Sequence, residues 1–467
     1  MSFVNEPARR IPVIEEADVV VIGGGPGGLP AAVAAARQGA KTVLIERYGV
    51  LGGLATTGLM GPLFGYAPCE PKENEPILGG IPMELVRRLQ KIEGAFDDSR
   101  IQWSAIRFDP ELFKFVVDDI VREAGVVVIL HAWAVGAVVT DKTIEAVIIE
   151  SKSGRQAIKG KVFVDGTGDR DIANFCGCPS EKGRPGDGMT LSLGSRFRIG
   201  GLKERTPDDI RKCIEICAAG ITSGELPIIF ASDFTDCGSS LRDGESCPDL
   251  TRHRGDGTNV RDLTECELQI RKDTQQIVEF LRAKVPGFES CYLIDSPFQI
   301  GVRETRQILG DYLLTTDDVA NVRKFPDTAV ARGCWFWDMH CCMGYGYPGT
   351  FWDSICSVNC KVTKPCILKT EKYKDQRLPS SHLPPDEYYD IPYGCLVAKG
   401  LDNLLISGRC ISASHEAMSS VRVIGTCFAM GEAAGVASAL SVQGNAIPRV
   451  LEVHCIQDHL RKNGVPL

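Results

Sequence analysis

DVVVIGGGPGGLPAAVAAARQGAKTVLIE, residues 18–46, decides the fold. Its first five residues form an apolar, β-branched run of the kind that makes a strand buried on both faces of a parallel sheet. Gly23, Gly25 and Gly28 then satisfy G-x-G-x-x-G, with Pro26 and Gly27 inside the pattern, and an Ala-rich helical stretch runs on to Gly39. Residues 41–46 supply a second strand that ends on Glu46. Each part has a mechanical reason. Gly23 allows the tight turn, Gly25 lets a pyrophosphate approach the backbone, and Gly28 lets the helix pack closely on the strand. The start of that helix offers unbonded N–H groups and a positive dipole end to phosphate. Glu46 stands 18 positions after Gly28, where a carboxylate accepts hydrogen bonds from ribose hydroxyls. A Gly-rich surface turn would explain the glycines alone, but strand, turn, helix, strand and acid occur here in register, so the stretch is read as a dinucleotide site. Pro30 falls in the first helical turn, where a missing N–H loses no intrahelical partner.

Working outward, Glu46 is followed by Arg47 and, soon after, by Gly52, Gly53, Leu54, Thr56 and Thr57, a backbone able to wrap a further length of ligand. This stretch, ERYGVLGGLATTGLMGP (residues 46–62), resembles the FAD-dependent oxidoreductases built on a glutathione-reductase-type FAD domain, among them the fumarate reductase-like and heterodisulfide reductase-like flavoproteins. KVFVDGTGDRDIA (161–173), GVRETRQILGDY (301–312), IPYGCL (391–396) and NLLISGRCISASHEAMSSVRVIGTCFAMGEAAG (403–435) are similar to further segments of that family.

The resemblance implies an FAD cofactor and places residues around it. Gly166, Thr167, Gly168 and Asp169 would turn at the flavin, Gly408 and Arg409 would touch the ribityl chain, and Ala134, in the strand-like VVVILHAWAVGAVV (126–139), would lie against the adenine. Arg422 and Gly425, at the start of the small-residue helix 421–440, would face the flavin pyrimidine. A helix dipole there stabilises the negative charge of a reduced flavin. Read without the resemblance, 166–169 is an Asx-rich turn and Arg422 a solvated helix arginine. A second G-x-G-x-x-G is not expected in the middle of the chain, and with it no separate nicotinamide domain.

The whole chain has 467 residues, a prior of about three domains. Hydrophobic residues make up 44% and charged residues 24%, which excludes a disordered chain or a fibre. A net charge of -8 gives no general field toward nucleic acid or an anionic membrane, and neither partner is expected. The first 21 residues lack the basic and apolar regions of a secretory signal, and the apolar windows at 19–36 and 425–440 are interrupted by Gly, Pro, Arg or Glu. The expectation is a cytoplasmic protein, with homo-oligomerisation left open.

Nineteen cysteines are present without a single C-x-x-C. Cys213 and Cys217 stand at helical i,i+4 spacing and read as small apolar residues. Cys341–Cys342 and Cys356-x3-Cys360-x5-Cys366 leave an iron–sulfur cluster as an alternative to a reduced, Cys-rich core. None of the seven histidines has metal-site spacing, and no metal is expected. His340 lies in the aromatic-rich RGCWFWDMHCCMGYGY, suited to a substrate pocket, and His415 follows the Gly408–Arg409 turn, which places it near the flavin. Either histidine, or Tyr393 in IPYGCL, is a candidate proton partner, and a structural hydrogen-bonding role is the alternative for each histidine. Arg303 and Arg306 could anchor a carboxylate, or form a structural network with Glu304.

The expected architecture is α/β: a Rossmann-like FAD domain with a parallel sheet, discontinuous over residues 1–195 and 395–467, and an inserted α+β substrate or cap domain at 196–394. Within the insertion, residues 232–257 read as a long surface loop or lid. The function expected is hydride transfer between flavin N5 and a small organic substrate, by C=C reduction, desaturation or alcohol oxidation, with an unidentified electron donor or acceptor. A redox-neutral flavin-assisted isomerase or hydratase and an electron-transfer subunit are the alternatives.

Overall fold

The computed structural model describes residues 2–68, 76–98, 105–227, 241–344, 366–367, 370, 383–384 and 386–467. Strand β1 (Val13–Ile22) leads through the glycine turn into helix α1 (Gly28–Arg37) and strand β2 (Thr42–Ile45). Helix α2 (Pro110–Glu123) starts at Asp109, whose carboxylate accepts the Glu111 N–H at 2.7 Å, with Pro110 at the first helical position. It delivers the chain to strand β3 (Val127–Ile129). Strands β4 (Trp133–Thr140), β5 (Thr143–Ser151) and β6 (Gly154–Asp165) follow as an antiparallel meander, and β7 (Leu404–Ile406) returns from far along the chain.

These seven strands make one sheet. Its parallel part runs β3-β2-β1-β6-β7, and β5 pairs antiparallel with the first half of β6. Val19, Val20 and Val21 are completely buried, as a strand covered on both faces requires. The register sets Ile45, Ile22, Asp165 and Ile406 side by side. The four strands therefore end level, and Glu46, Gly23, Gly166 and Ser407 emerge together at their carboxyl ends, where open α/β sheets hold ligands.

Helix α3 (His415–Val421) and helix α4 (Ile424–Gln443) complete this body. The helix thus begins three residues later than the sequence suggested, with Arg422 and Val423 forming the break. Gly431 and Gly435 bring α4 onto α1 so closely that a Cβ at either would stand 2.2 Å from the carbonyl oxygens of Gly27 and Ala31. Contrary to the expectation drawn from its interruptions, α4 is long and apolar enough to cross a bilayer, but 94% of its apolar window is buried inside the protein. A small helix side chain is a packing device here, which hydropathy alone does not distinguish from a span.

A second core contains Phe197, Ile199, Leu250, Ile277, Leu281 and Phe288, with Cys213 and Cys217 fully buried in it. Two helices, Pro207–Ser223 and Val260–Lys284, pack there beside the antiparallel pair Arg198–Gly200 and Tyr292–Asp295. The first helix begins with a capping box: Thr206 Oγ1 accepts the Asp209 N–H, and Asp209 Oδ2 accepts the Thr206 N–H at 3.0 Å. Side chains from Ile308 through Ile391 join the first core instead. The unit with its own core is therefore narrower than the 196–394 insertion. Residues 241–257 are not a surface loop either: Ser246, Cys247, Leu250, Thr251 and Arg252 are buried. Residues 232–240, and most of the Pro- and charge-rich connection at 374–387, lie outside the described residues.

Candidate functional site

A cleft opens at the carboxyl ends of the parallel strands, where open α/β sheets hold ligands. Gly23, Gly25, Pro26 and Gly27 form its floor. Gly23 takes φ +93°, and a Cβ there would meet the Gly166 carbonyl oxygen at 2.6 Å, so both torsion and space require glycine. At Gly25 the nearest atom to a Cβ is 3.6 Å away, so this middle glycine leaves the room a ligand backbone approach needs. Gly28 does not line the cleft; its task is packing, since a Cβ would lie 1.8 Å from the Gly23 carbonyl oxygen.

Glu46 lines the cleft and is 6% exposed. Its Oε2 accepts the Gly24 N–H at 2.7 Å and its Oε1 the Tyr48 N–H at 2.9 Å, leaving a further lone pair on each oxygen for a ribose hydroxyl. Burial pushes this carboxyl upward against those two N–H groups. Arg47 lies over the Tyr48 ring at 4.8 Å and the Trp133 ring at 5.9 Å, and Ala134 lines the same end. Gly53 and Leu54 line the cleft further along, as do Gly166, Thr167 and Gly168, then Gly408 and Arg409, then Arg422.

Other residues expected at the ligand stand behind it. The Gly52 N–H donates to the Gly24 carbonyl at 2.8 Å, and the Thr56 hydroxyl to the Leu51 carbonyl at 2.7 Å. The Thr57 hydroxyl lies 2.9 Å from the Gly53 carbonyl oxygen and 3.1 Å from Gln299 Oε1. Asp169 accepts from Arg409 at 2.6 Å and Thr305 at 3.0 Å, so it holds a cleft arginine and does not line the cleft itself. Gly425 packs against Phe64, whose carbonyl accepts its N–H at 3.2 Å. The carboxylate that does line the cleft is Asp171, pushed up to about 7 by burial and by Asp169 and Asp165. Its place in the GTGDRD run was a usable signal. Tyr48, Gln299 and Cys427 also line the cleft without having been foreseen.

A second cavity, about 770 Å³, shares Leu54, Arg409, Arg422 and Ile424 with the cleft. Met60, Phe64 and Val423 give it apolar walls; Arg196, Asp249, Arg303, Asp338 and His340 give it charge. Arg303 Nη1 donates to the Ser192 carbonyl at 3.0 Å and Nη2 to Asp249 at 3.1 Å. The expected Arg303–Glu304 network does not form. Asp249 also takes Arg252, and these guanidinium groups hold its carboxyl far below the usual range despite burial. Arg422 Nη2 donates to Asp338 Oδ2 at 2.7 Å.

His340 links the two pairs. Its Nδ1 accepts from Arg252 Nε at 3.1 Å, which leaves Nε2–H to donate to Asp338, 2.9 Å away. Burial, reinforced by Arg303 and Arg252, pulls this imidazole down to about 3 despite Asp338. It is a neutral bridge with both nitrogens occupied. His415 lines neither cavity: its Nδ1 lies 2.8 Å from Glu304 Oε1, with side chains 1% and 0% exposed. Burial opposes the charge on His415, but Glu304 carries the imidazole above its ordinary value. Tyr393 is also buried away from both cavities, donating to the Pro448 carbonyl at 3.0 Å. Both side chains are held in the core by these contacts.

The sequence profile of the FAD dependent oxidoreductase family matches residues 18–460. The chain belongs to this family. It is an FAD-dependent oxidoreductase, and the cleft residues fit its cofactor: a glycine floor, a buried acid at a strand end and an arginine pair. Curated relatives include the tRNA uridine 5-carboxymethylaminomethyl modification enzyme of Granulibacter bethesdensis, 29% identical over 220 residues (41% of this chain, 32% of the relative). Dihydrolipoyl dehydrogenase of Trypanosoma brucei brucei is 53% identical over 45 residues, 10% of this chain and 9% of the relative. The oxidoreductase spans about a third or less of the length of these relatives. Among solved structures, a geranylgeranyl bacteriochlorophyll reductase-like protein of Thermoplasma acidophilum covers 96% of this chain and is itself covered over 84%, at 12% identity and a TM-score of 0.46. The flavin-dependent brominase Bmp2 gives 95% and 83%, at 11% identity and a TM-score of 0.47.

Among the described residues of the oxidoreductase, no cluster of three metal-ligating side chains occurs. Cys356 and Cys360 lie outside the described residues, as does Tyr345 of the aromatic segment. The bare spacing G-x-G-x-x-G does recur at 344–349, and only Gly344 of it is described.

Proposed function

We propose that this oxidoreductase moves a hydride between FAD in the cleft and a small organic anion in the second cavity. The observation that carries the proposal is the shared wall: Leu54, Arg409, Arg422 and Ile424 belong to both spaces, so a substrate in the second cavity lies at one end of the cofactor site. Bound FAD supplies a two-electron hydride acceptor or donor. Glu46 holds the ribose, the turn at 23–27 and the start of α1 receive the pyrophosphate, and Arg409 and Arg422 stand where the two spaces meet.

Arg196, Arg303, Arg409 and Arg422 outnumber Asp249 and Asp338 on the walls of the second cavity. An anionic group of the substrate is therefore attracted, and its planar oxygens suit guanidinium donors. The Arg303–Asp249–Arg252–His340–Asp338–Arg422 chain fixes two of those cations, Arg303 and Arg422, so their orientation is set before the substrate arrives. Met60, Phe64 and Val423 exclude water from the carbon skeleton. Reduction of a C=C bond, desaturation of a C–C bond and oxidation of an alcohol each fit this arrangement.

Anaerobic mixing of the flavin-loaded protein with organic acids tests this. Bleaching of the flavin bands by a hydroxy acid or a saturated acid, or recolouring of reduced protein by an unsaturated or keto acid, is the expected result. Flavin reduction by neutral alcohols alone, with acids inert, overturns it.

A further inference from the structure

Gln299 reaches the cofactor cleft from the side of the second core. It belongs to a short strap, residues 296–299, held between two anchors. Before the strap, strand Tyr292–Asp295 pairs with Arg198–Gly200. After it, the Ile300 N–H donates at 2.7 Å to Glu267 on the helix Val260–Lys284, and the Gly301 N–H donates to the Gly194 carbonyl at 2.7 Å. Between the anchors the chain leans onto the first body. Phe298 meets the Tyr48 ring edge-on, with centroids 5.3 Å apart, and Gln299 Oε1 lies 3.1 Å from the Thr57 hydroxyl.

Thr57 does not need this contact, because its hydroxyl already has the Gly53 carbonyl at 2.9 Å. The need to satisfy a buried hydroxyl therefore does not explain Gln299. Its amide carries two donors on Nε2 besides the acceptor Oε1, and among the described residues Nε2 has no hydrogen-bond partner. The side chain is only partly buried and lines the cleft. Its place along the cleft follows from the same contacts. Thr57 is tied to Gly53, and the Gly53 Cα stands 3.6 Å from where a Cβ of Gly25 would be, so Gln299 enters beside the glycine turn.

We infer that Gln299 is a cofactor-binding residue whose Nε2–H donates to the pyrophosphate of FAD, and that the strap thereby latches the cofactor between the two cores. The inference rests on the pyrophosphate lying over the turn at 23–27. A phosphate oxyanion only accepts hydrogen bonds, so it turns the amide nitrogen toward the ligand and the amide oxygen toward Thr57, the orientation in which the Thr57 hydroxyl donates to Gln299. Phe298 pins the strap to Tyr48, two residues after Glu46, so the same segment also reaches the ribose side of the cleft.

The test follows flavin fluorescence as the FAD-loaded protein is diluted, which gives FAD affinity, and repeats the titration with ADP as competitor. Gln299→Ala should weaken FAD by about tenfold or more, the loss of one hydrogen bond to a charged group. Gln299→Glu keeps an oxygen for Thr57 but sets a carboxylate at the phosphate, and should weaken FAD further than Gln299→Ala does. ADP, which carries the pyrophosphate without the flavin, should lose affinity in Gln299→Ala by the same factor as FAD. The Tm of each variant stripped of FAD should equal that of the stripped parent. Unchanged FAD affinity in Gln299→Ala overturns the contact. So does Gln299→Glu holding FAD better than Gln299→Ala, which would mark Gln299 as a structural tie to Thr57. A loss for FAD with ADP unaffected overturns the place at the pyrophosphate.

Discussion

The cofactor cleft and the second cavity meet at the same four residues, yet they are built from different materials. The cleft is largely backbone: a turn of glycines, level strand ends and helix starts, with side chains such as Glu46 tied down by main-chain N–H groups. The second cavity is largely side-chain charge, with Arg303, Asp249, Arg252, His340, Asp338 and Arg422 linked hand to hand. A backbone site tolerates no added atom, whereas a charge site tolerates no removed partner. That difference sets what breaks each region.

The largest effect is expected from Gly28→Ala. Its Cβ would stand 1.8 Å from the Gly23 carbonyl oxygen, so the βα turn must shift, at a cost above about 4 kcal/mol. The variant should purify without flavin and melt early; a yellow protein of normal Tm would show that the cleft is not sterically set. Asp338→Asn is next. It leaves Arg422 and His340 without their charged partner in a buried place, at a cost of about 3 kcal/mol. Here FAD should remain bound while reduction by the organic-acid substrate is lost. Loss of flavin together with reduction would erase the distinction between the regions.

Glu432, on α4 beneath the cofactor body, sharpens the comparison with a titration. Burial raises its carboxyl from 4.5 to about 7 although its Oε2 accepts the Ile81 N–H at 2.8 Å. Because the folded-state value is the higher one, the neutral acid is favoured by folding. Stability should therefore fall as pH rises from about 4.5 to about 7 and level off above, by on the order of 3 kcal/mol. Denaturation of Glu432→Gln across pH 5–8 should lack this slope and show a more stable protein at pH 8.

The smallest effect concerns Asp171 in the cleft. Its carboxyl, pushed up to about 7, ionises as pH rises through neutrality and places a negative charge in the site of an anionic cofactor. FAD affinity should weaken by up to about tenfold per pH unit above pH 7, and Asp171→Asn should abolish the dependence. Unchanged FAD affinity from pH 6 to 8 in the native protein would show that Asp171 keeps its distance from the phosphates.

Much of the cofactor site was legible in sequence because its determinants are neighbours in the chain. Residues 23–28, 46–54, 166–168 and 408–409 each carry their own turn or strand end, and local steric rules identify them. Extended to side chains, the same logic put Glu46, Arg409 and Arg422 on the cleft wall but did not place every one. His415 follows the 408–409 turn yet points into the core, Tyr393 is buried there too, and Asp169 holds Arg409. The stretch 241–257 looked like a polar loop because its composition is polar. Its buried part instead pairs charges, with Arg252 and Asp249 facing His340 and Arg303.

The sequence by itself determined the α/β class, the glycine-floored cleft and the family, because a dinucleotide is recognised by contiguous backbone whose conformation its own residues dictate. Only the tertiary structure decided what stands at the far end of that cleft. Arg196, Asp249, Arg303, Asp338 and Arg422 come from five separate stretches and acquire meaning through one another. Electrostatic partnership depends on distance and burial, and neither is encoded in the spacing along the chain.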